Sequence, residues 1–470
     1  MDKIEQRKHN MLYNPNMIKT MILMSLPLFF SNLLKSFHDI VDSFFLARMD
    51  VSADTVASSL AAINIHWSIY NMFAALGIGI AVAAVGIVSQ YVGARREKEA
   101  QSYSAKLITF AFTIGLLVTA LLYLFTPLIG NLMGAKGETH TFFVRYLRLR
   151  SFEFPFYFVF AVYQSIRQAR GDTISPVIIS VGSIVWNIFI TWVLVFQLKM
   201  GVLGAGISTL SAQIVIFPFV IYQLFHTKKH PRVRYRDLGF DKLVMKEITR
   251  FALPSALSNM FSALGFAVIQ SMILSYGDVV SSGFSTGNRI SSMLLNPAMA
   301  IGSVQAAFIG QNIGNHNPER AKKSYRTATL ISVSFMTVGA IFTLIFLPQI
   351  IALLIGTKNM EINRVAIQYS YWLIATQPLM GLYNNYMSVY NGSGNNKYAL
   401  TMSLTRLWAI RIPLILLFMY VTPQVGVAGI WYAMVISNVT ILILGEILYR
   451  RISFERKVRI TDEEPLEEVL

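Results

Sequence analysis

SQYVGARREKEA, at residues 89–100, closes a long apolar run, and a near-copy of it, GQNIGNHNPERA, stands at 310–321. The pairing sets Gln90 against Gln311 and Gly93 against Gly314. Three further matches keep the same order at a spacing of about 225 residues. SLPLFFSN (25–32) answers to ALPSALSN (252–259), Pro155 and Gly171 answer to Pro378 and Gly394, and GVLG (201–204) answers to GVAG (426–429). One such match carries little weight. Four in register indicate that the chain is an internal duplication.

Around these repeats the chain is apolar. Of its 470 residues, 54% are hydrophobic and only 14% charged, against about 25% charged in a soluble domain. That deficit indicates a polytopic membrane protein. A span needs roughly 20 apolar residues at about 1.5 Å rise. Twelve stretches qualify: 18–46, 58–88, 104–129, 143–166, 174–196, 202–225, 248–276, 282–309, 326–355, 364–390, 398–421 and 427–449. Each repeat then holds an even number of spans, so both halves keep one orientation. The expected fold is all-α, with twelve transmembrane helices in two six-helix bundles related by a pseudo-two-fold axis along the membrane normal. Its expected parts are an N-terminal segment (1–17), a first bundle (18–225), a basic linker (226–247), a second bundle (248–450) and a tail (451–470). The tail ends TDEEPLEEVL, acidic and poor in large apolar residues, and is expected to be disordered.

The net charge of +16 sits in alternate loops. QYVGARREKEAQSYSAK, IRQARGDT and NHNPERAKKSYR are basic, whereas ARMDVSADT and SYGDVVSSG are not. This bias places both termini in the cytoplasm of a cell-membrane protein, with Arg145, Arg148 and Arg150 as exceptions on the outer side. Scattered loop charges do not make a nucleic-acid face. Cysteine is absent, which removes disulfides, thiolate metal sites and cysteine nucleophiles. No Walker sequence offers direct ATP drive. No nucleophile–base spacing or metal-ligand cluster suggests an enzyme, a metal site or a resident cofactor. The partners expected are the lipid bilayer and small-molecule substrates, with the chain as a monomer. Two facing bundles make a cavity, between them or within each, that can open to either side in turn, which is a transporter's architecture.

The first span carries an anomaly. In SNLLKSFHDIVDSFFL (31–46), Lys35, His38, Asp39 and Asp42 fall at i, i+3, i+4 and i+7, on one face of a helix. A charge at that depth costs at least ~2.5 kcal/mol unless it pairs, meets water or takes up a proton. Two readings stand. Lys35 and Asp39 form a structural ion pair, with Asp42 hydrated near the outer surface. Alternatively Asp42 is a proton-dependent switch, its affinity balanced between burial and the nearby cation.

PLFFSNLLKSFHDIVDSFFLAR (27–48) resembles the first helix of the multidrug and toxic compound extrusion (MATE) transporters. The family's early proline, Leu-Leu-Gln and Val-Asp-Thr become Pro27, Leu33-Leu34-Lys35 and Val41-Asp42-Ser43. SQYVGARREKEA, RQARGDTISP (167–176) and GVLGAGIST (201–209) extend the resemblance over nearly the whole chain. It implies an antiporter that exports small, often cationic and amphipathic molecules on a proton or sodium gradient, as multidrug efflux. A rival on the same fold is a flippase for lipid-linked sugars or other anionic lipids, favoured by Lys35 and by Arg289, Arg406 and Arg411 within spans.

The chain departs from the family in three places. Lysine replaces the glutamine at 35. The fifth-span run WNIFITW keeps Asn187 but has Thr191 and Trp192 where many members have Asp-Pro. The second half has no deep acid, and Asp42's counterpart is Ile269, beside Gln270. Sodium prefers a cage of several oxygens, whereas Asp42 with Asn187, Thr191 and Thr209 supplies only one carboxylate. A proton needs one titratable group, so protons are favoured as the coupling ion.

The cavity-lining candidates are Tyr163, Trp186, Gln270, Asn384, Asn385 and Arg411. The aromatics offer cation–π faces and the polar groups need partners in lipid, although packing and helix–helix bonding explain many such residues. Pro27 deletes a helix hydrogen bond and is the candidate gate, a bend there moving the Asp42 stripe. Glu153, near the three outer arginines, is expected to pair locally.

Overall fold

The computed structural model describes residues 3–47, 53–227, 232–356 and 360–459; the side chains of 3–5, 8, 35–47, 53–61 and 64 lie outside that description. The described elements are helices. A short α1 (Lys3–Tyr13) leads into α2 (Met17–Ala47), α3 (Ala53–Gly93), α4 (Glu97–Leu132), α5 (Gly137–Ser151), α6 (Phe154–Ala169), α7 (Ile174–Thr191) and α8 (Gly201–Phe225). Beyond the basic connection come α9 (Lys242–Leu274), α10 (Asp278–Gly314), α11 (Pro318–Ile345), α12 (Leu347–Ile355), α13 (Met360–Ala375) and α14 (Gln377–Gly392). The last are α15 (Asn396–Leu404), α16 (Ile412–Tyr420) and α17 (Ala428–Arg450). Among the described residues, ten helical stretches are long and apolar enough to cross a membrane. Their outer faces carry bare apolar side chains: Leu117 and Leu124 on α4 are 59% and 68% exposed, and Val338 and Ile345 on α11 are 69% and 63% exposed. Such faces belong against lipid, and the chain is a multi-pass membrane protein.

Three of the stretches expected as unbroken spans are broken. The fourth is α5 plus α6, interrupted at Phe152 and Glu153, the ninth is α11 plus α12, interrupted at Phe346, and the tenth is α13 plus α14, interrupted at Thr376. Each break ends two residues before a proline, Pro155, Pro348 or Pro378, which sits in the first turn of the new helix. Proline cannot donate to the preceding turn and crowds the residue before it. At Pro413 the helix loosens instead. Thr405–Arg411, just ahead of Pro413, is π-helical and joins α15 to α16, and a second π segment, Trp192–Gln197, ends α7.

Repeated sequence makes repeated turns. After α6 the Asp172 N–H bonds the Arg167 carbonyl at 2.9 Å, and after α14 the Asn395 N–H bonds the Tyr390 carbonyl at 2.8 Å. Gly171 (φ 85°) and Gly394 (φ 76°) supply the left-handed residue these caps require. The turns after α3 and α10 bond in the same way but place Arg95 (φ 59°) and His316 (φ 53°) in that conformation.

The halves meet at the ends of α3 and α10. A Cβ on Gly93 would overlap the Gln311 carbonyl, and one on Gly314 would overlap the Gln90 carbonyl. Gln90 Nε2 donates to the Gly392 carbonyl at 3.5 Å, while Gln311 Nε2 donates to the Ala169 carbonyl at 2.7 Å. Met17, Met21, Met24 and Leu28 on α2 are buried against Ile301, Val304 and Phe308 of α10, a pliable apolar contact between halves.

Candidate functional site

The predicted residues of the fifth and sixth spans come together. Asn187 Nδ2 donates to Thr209 Oγ1 at 3.2 Å, and Thr191 Oγ1 donates to Asn187 Oδ1 at 3.4 Å. Thr191 also shares a 2.7 Å hydrogen bond with Ser208, a residue the sequence reading missed. Asn187, Thr191 and Ser208 are buried. Asn187 and Thr191 share a face of α7 because they are four residues apart. Ser208 and Thr209 are anchored to α8, each donating to the Ala205 carbonyl. The result is a neutral cluster of four side-chain oxygens between α7 and α8, positioned to bond a water, a carboxyl group or a small ion.

Helix α2 packs on α7, and Ser31 Oγ donates to Ser180 Oγ at 3.5 Å. Lys35, His38, Asp39 and Asp42 lie on α2, but their side chains are outside the described residues. Pro27 is inside α2 and half-buried.

The cavity-lining candidates do not form one group. Trp186 is half-open and its Nε1 donates to Ser211 at 3.2 Å. Tyr163 is fully buried, bonds the Gln223 side chain and stacks under the Arg167 guanidinium. Gln223 stands twelve residues beyond Ser211 on α8, about 18 Å along the axis, so Tyr163 belongs to another level of the bundle. Gln270 Nε2 donates to Ser281 at 2.9 Å, tying α9 to α10. Asn385 is buried: its carbonyl accepts from Gln305 at 3.1 Å, and its Nδ2 has no partner. Asn384, next to it, is half-buried. Arg411 is buried, donating to Ser437 at 2.8 Å and to Asn438 at 2.5 Å.

A second polar group lies at the break in the fourth span. Arg150 and Glu153 are both buried and 2.9 Å apart. Tyr70 lies 5.2 Å beneath the Arg150 guanidinium and stacks on His66, itself buried with its Nε2 unpartnered. The pairing of Glu153 was foreseeable from its i, i+3 spacing to Arg150. His66 gave no signal, since one histidine in an apolar run reads as packing.

Among the described residues, no group of three or more histidine and carboxylate side chains is placed to hold a metal ion. The MatE family profile matches residues 27–193 and 254–417, both halves of the duplication. The chain is 23% identical to the probable multidrug resistance protein YoeA of Bacillus subtilis, over 89% of this chain and 90% of that protein. It is 26% identical to the probable multidrug resistance protein YpnP of the same organism, over 90% and 93%. Its structure superposes on that of a MATE protein in complex with MaL6 with a TM-score of 0.87, 21% identity and coverage of 94% of this chain and 97% of the other. With both halves matched and this fold shared, the chain belongs to the MatE family.

Proposed function

We propose that the chain is a proton-coupled antiporter exporting small amphipathic or cationic compounds by alternating access. Secondary active transport of such compounds is the family's activity, and the chain is a transporter rather than an enzyme. The coupling site we assign is Asp42 with Asn187, Thr191 and Thr209. The observation that carries this reading is the buried Asn187–Thr191–Ser208–Thr209 cluster on the face of the fifth span nearest the first. α2 and α7 touch at Ser31 and Ser180 and run in the same direction. Eleven residues further along each, about 16 Å, residue 42 stands level with residue 191. His38, Asp39 and Lys35 occupy the same stripe of α2 and set the charge around it.

We read the architecture as twelve crossings in two six-helix bundles, with both termini cytoplasmic and the protein a monomer. The paired glutamine contacts at Gly392 and Ala169, and the matching helix breaks and turns, support it. On this orientation the cytoplasmic ends are closed. Substrate enters from the cytoplasm or inner leaflet, the bundles rock outward, Asp42 takes a proton and the substrate leaves. The return stroke releases the proton inward. A second reading, a flippase for lipid-linked sugars or anionic lipids, draws support from the buried Arg406 and Arg411.

The test is transport by purified protein in vesicles with proton and sodium gradients imposed separately. Wild type should respond to the proton gradient, and Asp42→Asn should lose the response. Full gradient-driven activity in that variant would remove Asp42 from the coupling site.

A further inference from the structure

The chain buries five described arginines: Arg150, Arg167, Arg170, Arg406 and Arg411. The three in the first half each have a carboxylate: Glu153 at 2.9 Å, Asp172 at 3.9 Å and Glu97 at 3.0 Å. Arg406 and Arg411 have none among the described residues. Their partners are neutral: Ser437 and Asn438 for Arg411, the Met380 sulfur at 3.5 Å for Arg406, whose Nε has no partner at all. A cation at membrane depth is costly unless it is paired or beside water.

Local structure puts these two charges together. On an α-helix, residues five apart point about 140° away from each other. Thr405–Arg411 is π-helical, and its i→i+5 bonding brings residues five apart onto one face. Aromatic rings flank them. The Arg406 guanidinium lies 4.4 Å from the Tyr383 ring centroid and 5.8 Å from that of Phe266. Asn438, which holds Arg411, also donates to Thr376 at the break in the tenth span, and Thr376 lines a narrow crevice walled by Tyr369, Trp372 and Trp431. Two guanidiniums on one face, left without a counter-charge and bordered by rings, are suited to an anion attached to a flat apolar body.

We propose that the second half holds an anion-binding site built on Arg406 and Arg411, taking the carboxylate or phosphate of a water-soluble compound with an aromatic body. The site rests on the reading of the chain as an exporter and extends its substrates from cations to aromatic anions. The first half then handles the coupling ion with Asp42 and neutral oxygens, while the second half holds the negative end of the cargo.

Riboflavin and riboflavin 5′-phosphate share one ring system and differ in the anionic group, so they serve as probes. Binding is read by flavin fluorescence anisotropy on full-length protein in phosphatidylcholine nanodiscs. The phosphate should bind about tenfold more tightly than riboflavin. Arg406→Gln and Arg411→Gln should each erase most of that preference, and Arg411→Lys should keep part of it, retaining charge without the planar fork. Equal binding of the two flavins to wild type overturns the site, as does a preference that survives in the double glutamine variant. Loss of the preference when phosphatidylglycerol is added to the disc overturns it as well, by assigning the arginines to a lipid headgroup. If a glutamine variant fails to fold, the wild-type comparison and the lysine variant still decide. Ethidium efflux from cells expressing wild type tests the export reading separately, so either idea can fail without the other.

Discussion

At Thr191 one hydroxyl joins two helices, bonding Asn187 on its own helix and Ser208 on the next. Replacing it by valine keeps the shape and leaves both partners short of a buried hydrogen bond, a loss of about 1–3 kcal/mol. Thr191→Val should therefore lower the thermal unfolding temperature in detergent, while Thr191→Ser should nearly restore it. A purely structural role ends there. A place in the coupling site adds a second effect, a moved pH midpoint for proton-driven transport in vesicles, and that is the outcome expected. An unmoved midpoint in a folded variant would reduce the cluster to packing. Much of this site was legible beforehand, because Asn187 and Thr191 are polar, four apart and inside an apolar run. Ser208 was not, since within GVLGAGIST a serine reads as one more small packing residue. The partners of Arg411 were hidden for a different reason: Ser437 and Asn438 lie on another span, 26 and 27 residues away, and no local pattern announces a contact between spans.

The elements show a similar division. Duplication, helical class and nearly all helix positions follow from the repeats and from apolar run lengths. The breaks in the fourth and tenth spans do not, because an apolar run remains apolar across Glu153 and Thr376, and proline alone does not distinguish a kink from a stop. What holds the first break is the buried pair of Arg150 and Glu153, at 7% and 1% side-chain exposure. Thr119 on α4 reinforces it, donating to the Ser151 carbonyl at 2.7 Å. Removing one member of a buried ion pair strands the other and costs about 3–5 kcal/mol, whereas replacing both with apolar groups is often close to neutral. Glu153→Gln should thus be among the most destabilising single changes at the junction of α5 and α6. The double variant Arg150→Met/Glu153→Leu should unfold at a higher temperature than Glu153→Gln. If the double variant is the less stable of the two, the pair does more than hold the break, and the adjacent His66 and Tyr70 become the first place to look.

Across the whole molecule, the two ends of the chain cross to opposite halves on the closed face. The N-terminal segment reaches the second half: Arg320 donates to the carbonyls of Met11 at 3.3 Å and Asn14 at 2.7 Å, and Asn312 to Met11 at 3.4 Å. From the other end, Lys457 N–H donates to Gln90 Oε1 at 2.9 Å, and Tyr91 Oη donates to the Arg459 carbonyl at 2.7 Å. Val458 is buried in the core of the first half, and Arg456 touches His316 of the second. The segment expected to be disordered thus begins with residues that are packed through 459, because a basic stretch with one buried valine is seated between the halves. Such a strap binds the closed arrangement and must leave for the halves to part, so it adds its own contact energy to one side of the conformational equilibrium. Removing residues 454–470, or placing a charge in the core with Val458→Asp, should shift the population toward separation of this face. The absence of cysteine makes the measurement direct: spin labels at Lys98→Cys and Glu319→Cys, at the starts of α4 and α11, report the gap between halves by electron–electron distance. The truncated chain should show a longer-distance population that the full chain lacks or holds as a minority. Gly93→Ala should produce the same shift by a different route, since its methyl group overlaps the Gln311 carbonyl only while the face is closed. Identical distance distributions in the truncated and full-length chains would mean that the tail rides on the closed face without holding it, and that the glycine–glutamine contact alone sets the balance.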